Sequence, residues 1–171
     1  MSEGGAGGDT AVLMPLVKEF LRIDDRLIHG QIILGWAPKL EARLLIVADD
    51  EAAGDPVLSE CLVTTSSGGP EIKVLGVQEA ARFVAANRDG EGVLVLFRHP
   101  DAALRYVGAG RVPLKINVGC LRFEAGRKQL SRAVSVGQGE RDAFLRLAGL
   151  GVALEIRMVP TDKPQDLVKL L

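Results

Sequence analysis

Short runs of consecutive apolar residues alternate along the chain with segments whose apolar positions recur every three or four residues. "PLVKEFLRI" predicts a strand ending at Ile23, and in "GQIILGWAPKL" Ile32, Ile33, Trp36 and Leu40 share one helical face. "RLLIVAD" (43–49) is nearly continuous in apolar residues, as a strand buried on both faces must be. "DPVLSECLVTTSS" predicts a helix capped by Asp55 with Pro56 at its first position, followed by a turn at "SGGP". Further strands are predicted in "EIKVL" (71–75), "GVLVLFR" (92–98), "LKINVG" (114–119), "SRAVSV" (131–136) and "VALEIRMV" (152–159). Between and after them lie helices in "VQEAARFVAAN" (77–87), "PDAALRYVG", "ERDAFLRLAGLG" and, at the end, "DKPQDLVKLL". Repeated strand–helix units predict a single α/β domain: a mainly parallel sheet of about seven strands with helices on both faces. The glycine-rich opening "MSEGGAGGDT" predicts a disordered tail over 1–14, with the folded domain occupying 15–171 and beginning near Pro15.

Composition narrows the function classes. At 171 residues the chain makes one domain with a sizeable core. A net charge of −1 with only 4% aromatic residues argues against a nucleic-acid binder, which needs a basic footprint or stacking platforms. Two cysteines, Cys61 and Cys120, are too few for a disulfide scaffold and fit a cytoplasmic protein. No segment has the length and apolarity of a membrane span, and the opening lacks the basic-then-apolar order of a signal peptide.

In open α/β sheets ligands bind beyond the carboxyl ends of the strands. The residues expected there are Asp24 to Gln31, Asp49, Asp50, Gly76, Arg98 to Pro100 and Asn117 to Gly119. Within the first loop, "DDRLIHGQ" places His29 at the start of a helix, where backbone N–H groups and the helix dipole favour an anion. A neutral imidazole is a nucleophile for phosphorus. The guanidinium fork of Arg26 suits two phosphoryl oxygens, and Arg22 at the strand end adds a second positive charge. Asp24 or Asp25 is placed to accept the other ring N–H of His29 or to hold Arg26. Phosphoryl transfer asks mainly for positioning and charge stabilisation, which such a loop supplies. Read locally, the stretch fits equally well a capped helix start followed by a solvated charged turn. Cys61 falls on the apolar face of its helix and is expected in the core. Cys120 lies nearer the functional edge but has no Ser/Arg-rich cradle following it. His99, in "FRHP", is expected as a loop histidine.

The string "RIDDRLIHGQ" resembles the hallmark of the IIB subunit of the mannose/fructose/sorbose family of the bacterial phosphotransferase system. "LLIVADDEAAGDP", "VLVLFRHPDAALRYVGAG", "INVGCLRFEAGRKQLSRAVSV" and "LGVALEIRMVPTD" extend the likeness over roughly residues 16 to 171. The resemblance implies that His29 is the phosphorylated histidine, Arg26 the loop arginine, Asp24 and Asp25 the preceding acidic pair and Arg22 the strand-end arginine. It further implies a phosphotransferase that takes a phosphoryl group from a phosphohistidine of a separate IIA protein. The group then passes to a sugar bound by membrane IIC and IID subunits, with no cofactor and no metal. A regulatory IIB-like module, whose phosphorylation controls a partner instead of feeding transport, satisfies the same motif. A homodimer is left open. Cys120 stands where the family turn has a second glycine, so its β-carbon is expected to tighten that turn if the position needs positive φ. Arg22, Arg26, Arg98 and Arg122 are expected on the rim of a transient docking face. Met14 lies close to where related chains begin.

Overall fold

The computed structural model describes residues 19–66, 68–87 and 92–171. The expected tail over 1–14, the start near Pro15 and Ser67 of the expected turn lie outside the described residues.

A seven-stranded sheet forms the centre, built from β1 (Glu19–Asp24), β2 (Ala42–Ala48), β3 (Glu71–Leu75), β4 (Gly92–Phe97), β5 (Lys115–Cys120), β8 (Ala153–Ile156) and β9 (Gln165–Asp166). Two further short strands, β6 (Lys128–Gln129) and β7 (Ser135–Val136), form a separate antiparallel ribbon. Order in the main sheet is β3-β2-β4-β1-β5-β8-β9, with every pairing parallel except β8 with β9. The helices are α1 (Gln31–Trp36 as a π-helical turn running into Ala37–Lys39), α2 (Asp50–Gly54), α3 (Pro56–Thr64), α4 (Val77–Ala86), α5 (Pro100–Ala109) and α6 (Gln138–Gly149).

The apolar runs behave as their composition requires. In β2 and β4, Leu44 to Ala48 and Val93 to Phe97 are all buried, because helices cover both faces. On one face Leu21, Ile23, Val95, Ile116 and Val118 pack with α4, α5 and α6; on the other Leu45, Val47, Leu94 and Leu96 meet Ile32 and Trp36 of α1 and Leu62 of α3. Strand alternation then sorts β1. Leu21 and Ile23 enter the first cluster, while Phe20, Arg22 and Asp24 face the side where Trp36 lies 5.1 Å from Phe20, ring to ring.

Several expectations are corrected. The terminal segment is not a helix: β9 adds antiparallel to β8, and only Val168–Leu170 makes a 3₁₀ turn. Pro164 would suit the first turn of a helix, so it is the pairing with the open edge of β8 that decides the outcome. The expected strand over 131–136 shrinks to Ser135–Val136, and Asp50–Gly54 form an additional short helix, α2, capped by the Asp49 side chain, which accepts from Ala52 N–H at 2.7 Å. Cys61 is exposed, since the inward stripe of α3 runs through Leu58 and Leu62. Cys120 ends β5 without positive φ, so its β-carbon strains no turn.

Candidate active site

The carboxyl end of β1 turns sharply into α1. Leu27 N–H closes the turn on Asp24 C=O at 2.9 Å, and Leu27 itself adopts φ 55° while its side chain is buried. A left-handed leucine costs on the order of 1–2 kcal/mol, offset here by burying the side chain under α1. The strain aims the next residues: Ile28 goes into the core and His29 to the helix mouth, where its C=O accepts from Ile32 N–H at 2.9 Å.

Asp24 is the hub. Its Oδ2 accepts from Arg22 Nη2 at 3.0 Å and Arg26 Nη2 at 2.9 Å, and lies 3.1 Å from His29 Nε2. Its Oδ1 accepts from Arg26 Nε at 2.9 Å and Arg26 N–H at 3.2 Å. The side chain is 0% exposed. Burial alone would raise its pKa, but the hydrogen bonds from His29 and Arg26 and the charge of Arg22 win, holding it well below the usual carboxylate range. An ionised carboxylate has no proton to give, so in the neutral imidazole the hydrogen sits on His29 Nε2 and Nδ1 keeps the lone pair.

Of the expected residues, Arg22, Asp24, Arg26 and His29 therefore come together, and Asp24 is the acidic residue beside His29. Asp25 takes a different place. Its Oδ2 accepts from Arg122 N–H at 2.8 Å and Arg122 Nε at 3.1 Å, tying the loop after β5 to the loop after β1. Arg26 reaches on to Gln31 Oε1 at 3.1 Å, which steadies a guanidinium that is one-third exposed.

Arg22 is not on any rim. Fully buried, it stacks 4.9 Å from the Trp36 ring and donates to Asn117 Oδ1, Arg157 C=O at 2.9 Å and Met158 C=O at 3.0 Å. Gly119 makes this possible: a β-carbon there would fall inside the Arg22 guanidinium and 2.7 Å from Asp24 Oδ2. The sequence places Asn117 and Gly119 at this edge without assigning either a role beside Arg22, and it gives no sign of Trp36 there. The available signal was an Asn–x–Gly alternation interrupting an apolar strand, which marks a polar face.

The two flanks of this edge differ in charge. Towards β2 and β4 a cavity of about 520 Å³ is lined by Asp49, Asp50, Glu51, Asp101 and Glu140 against Arg98 and Arg105. Arg98 is spent on Asp49 at 2.9 Å, so it adds little free positive charge. Exposed His99 precedes α5 there at its N-cap position, without a side-chain capping bond. Towards β5 and β8 a cavity of about 330 Å³ runs from Gly119 past Arg132, Arg157, Asp162 and Lys163. Cys120 is no rival nucleophile, since burial and then the Asp25 charge push its thiol up and away from the thiolate.

The sequence matches the family model described as "PTS system sorbose subfamily IIB component" over residues 18–171. The chain belongs to this IIB family. It is 35% identical to the fructose-specific EIIB component of Bacillus subtilis over 152 residues, covering 88% of this chain and 93% of that protein. It is likewise 35% identical over 157 residues to the mannose-specific EIIAB component of Escherichia coli K12, covering 91% of this chain but 49% of that protein. The chain thus spans about half the length of the EIIAB relatives and nearly all of the EIIB ones. The crystal structure of the IIBSor domain of the sorbose permease from Klebsiella pneumoniae superposes with a TM-score of 0.81 at 31% identity, covering 88% of this chain and 93% of that one. Among the described residues no helix is long and apolar enough to cross a membrane.

Proposed function

We propose that the protein is a cytoplasmic phosphocarrier: His29 Nδ1 takes a phosphoryl group from a phosphohistidine on a IIA protein and passes it to a sugar bound by IIC and IID membrane subunits. The observation that carries this reading is the bond between His29 Nε2 and the ionised, buried Asp24, which leaves Nδ1 as the nucleophile. In the transfer, the Nδ1 lone pair attacks phosphorus as the donor's P–N bond breaks and its electron pair returns to the donor imidazole. One imidazole loses a phosphoryl group and the other gains it, so no net proton moves and no metal or cofactor is required. The positive charge that forms on the His29 ring is met by Asp24, and Arg26 beside it offsets the phosphoryl oxygens. That a relative is named EIIAB supports a IIA partner, because there the two components share one polypeptide.

The test is transfer itself. With radiolabelled phosphoenolpyruvate, the general phosphotransferase proteins and a IIA donor, label is expected on the wild-type protein and absent from His29→Ala. Label retained by His29→Ala would sink the reading.

A further inference from the structure

Arg22, Asn117 and Glu155 stand directly opposite one another across β1, β5 and β8, on the same face of the sheet. All three are buried. A guanidinium, an amide and a carboxylate in a row along strand interiors are unfavourable unless each is paired, and here each has partners, Arg22 through Nη1 and Nη2 while its Nε has none. Half-exposed Lys115 donates to Glu155 Oε2 at 3.0 Å, and Asn117 Nδ2 donates to Glu155 Oε1 at 3.2 Å. That second bond decides which way round the amide sits. With its nitrogen committed to a carboxylate and, more weakly, to Arg157 C=O at 3.4 Å, its oxygen faces Arg22 Nη1 and accepts from it. Arg22 Nη2 then donates to the same Asp24 oxygen that holds His29 Nε2. The row is an alternating series of donors and acceptors running from the far end of β5 to the imidazole. Apolar side chains at 117 and 155 would fill this space without burying charge, so packing alone gives no reason for the pair.

We propose that Asn117 and Glu155 are positioning residues for phosphoryl transfer: they orient Arg22, which orients Asp24, which holds the His29 ring with its hydrogen on Nε2 and Nδ1 towards the donor. The proposal rests on the reading of His29 as the acceptor. The chain has two histidines, so a His99→Gln background leaves the His29 ring alone for nitrogen-15 NMR of the full chain. The parent is expected to show the Nε2–H tautomer. Asn117→Leu and Glu155→Leu are expected to give mixed tautomers and a maximal transfer rate lower by about tenfold, the scale of one lost hydrogen bond to a charged group. The Michaelis constant for phospho-IIA should stay unchanged. Glu155→Gln keeps an acceptor for Asn117 and should restore both readouts. Unchanged tautomers in Glu155→Leu, or a Glu155→Gln as impaired as Glu155→Leu, would overturn the proposal. If Asn117→Leu fails to fold, the two Glu155 variants decide it. The tautomer needs no donor to be read, so a His29 that takes no phosphate would defeat the functional reading while the positioning link is still measured.

Discussion

The two halves of the α1-side face of the sheet are built on opposite rules. Over β2 and β4 the face is apolar: Leu45, Val47, Leu94 and Leu96 press on Ile32 and Leu62, and nothing there needs a hydrogen-bond partner. Over β1, β5 and β8 the same face carries Arg22, Asp24, Asn117 and Glu155, all buried. Apolar burial is non-directional and stabilises in proportion to area. A buried ionic row contributes little net stability against desolvation, but it fixes angles and distances. The first half holds the molecule together; the second holds His29 Nε2 against Asp24.

One pair of substitutions sharpens that contrast. Asp24→Asn leaves Arg22 charged in the interior without its anion and should lower stability by about 3–5 kcal/mol. Leu96→Ala opens a cavity in the apolar half and should lower stability by a similar 2–5 kcal/mol. Urea denaturation checks both, and the transfer rate of the folded fraction separates them: lost in Asp24→Asn, unchanged in Leu96→Ala. The pH dependence separates them again. The folded pKa of Asp24 is depressed, so its contribution is present above the unfolded value of about 4 and is lost as pH falls below it. Wild type and Leu96→Ala should therefore lose stability more steeply than Asp24→Asn between about pH 5 and 3.

Arg26→Ala acts on chemistry more than on folding, because its guanidinium is one-third exposed. Losing a charge contact to the transferring group should slow exchange by about 10²–10³ in both directions, read in single-turnover transfer. A variant within about threefold of wild type would make Arg26 a solvated loop charge. Gly119→Ala sharpens the role of the polar row, since the added carbon displaces Arg22 and Asp24 together. Overpacking of this kind is expected to cost about 1–3 kcal/mol, with a slower transfer rate in the molecules that remain folded.

The apolar half was legible in the sequence because pattern and structure share one cause: a strand covered on both faces reads as "LLIVA" or "VLVLF". Strand 71–75 and the Asp55–Pro56 helix start lie where the pattern puts them, since a cap and a proline act locally. What failed depended on distant partners. The segment from Asp162 to Leu171 has a helical composition, but β8 offers an open edge and takes Gln165–Asp166 as a strand. The motif brought Arg22, Asp24, Arg26 and His29 to attention, yet which aspartate meets the imidazole was settled only by β5. Cys120 C=O accepts from Asp25 N–H, and Arg122 claims the Asp25 side chain. Nor did spacing reveal that Arg22 is buried under Trp36, because that requires knowing that Gly119 leaves room for it.

The smallest expected effect concerns docking. Arg132 and Lys163 have no ion-pair partner among the described residues, and both line the basic flank. Replacing both with alanine should raise the Michaelis constant for an acidic phospho-IIA by about two- to fivefold at low salt and less at high salt. Arg98→Ala, which strips Asp49 of its partner on the acidic flank, should leave that constant unchanged. The reverse pattern would move the docking face to the β2/β4 side.

The central claim is that His29 accepts phosphate on Nδ1 because Asp24 holds Nε2. Phosphorylating the nitrogen-15 histidine-labelled protein and recording nitrogen–phosphorus couplings by NMR tests it directly. A single phosphohistidine at His29 joined through Nδ1, with the hydrogen still on Nε2, is the expected result. A bond through Nε2, or phosphate on His99, Cys61 or Cys120, would contradict it.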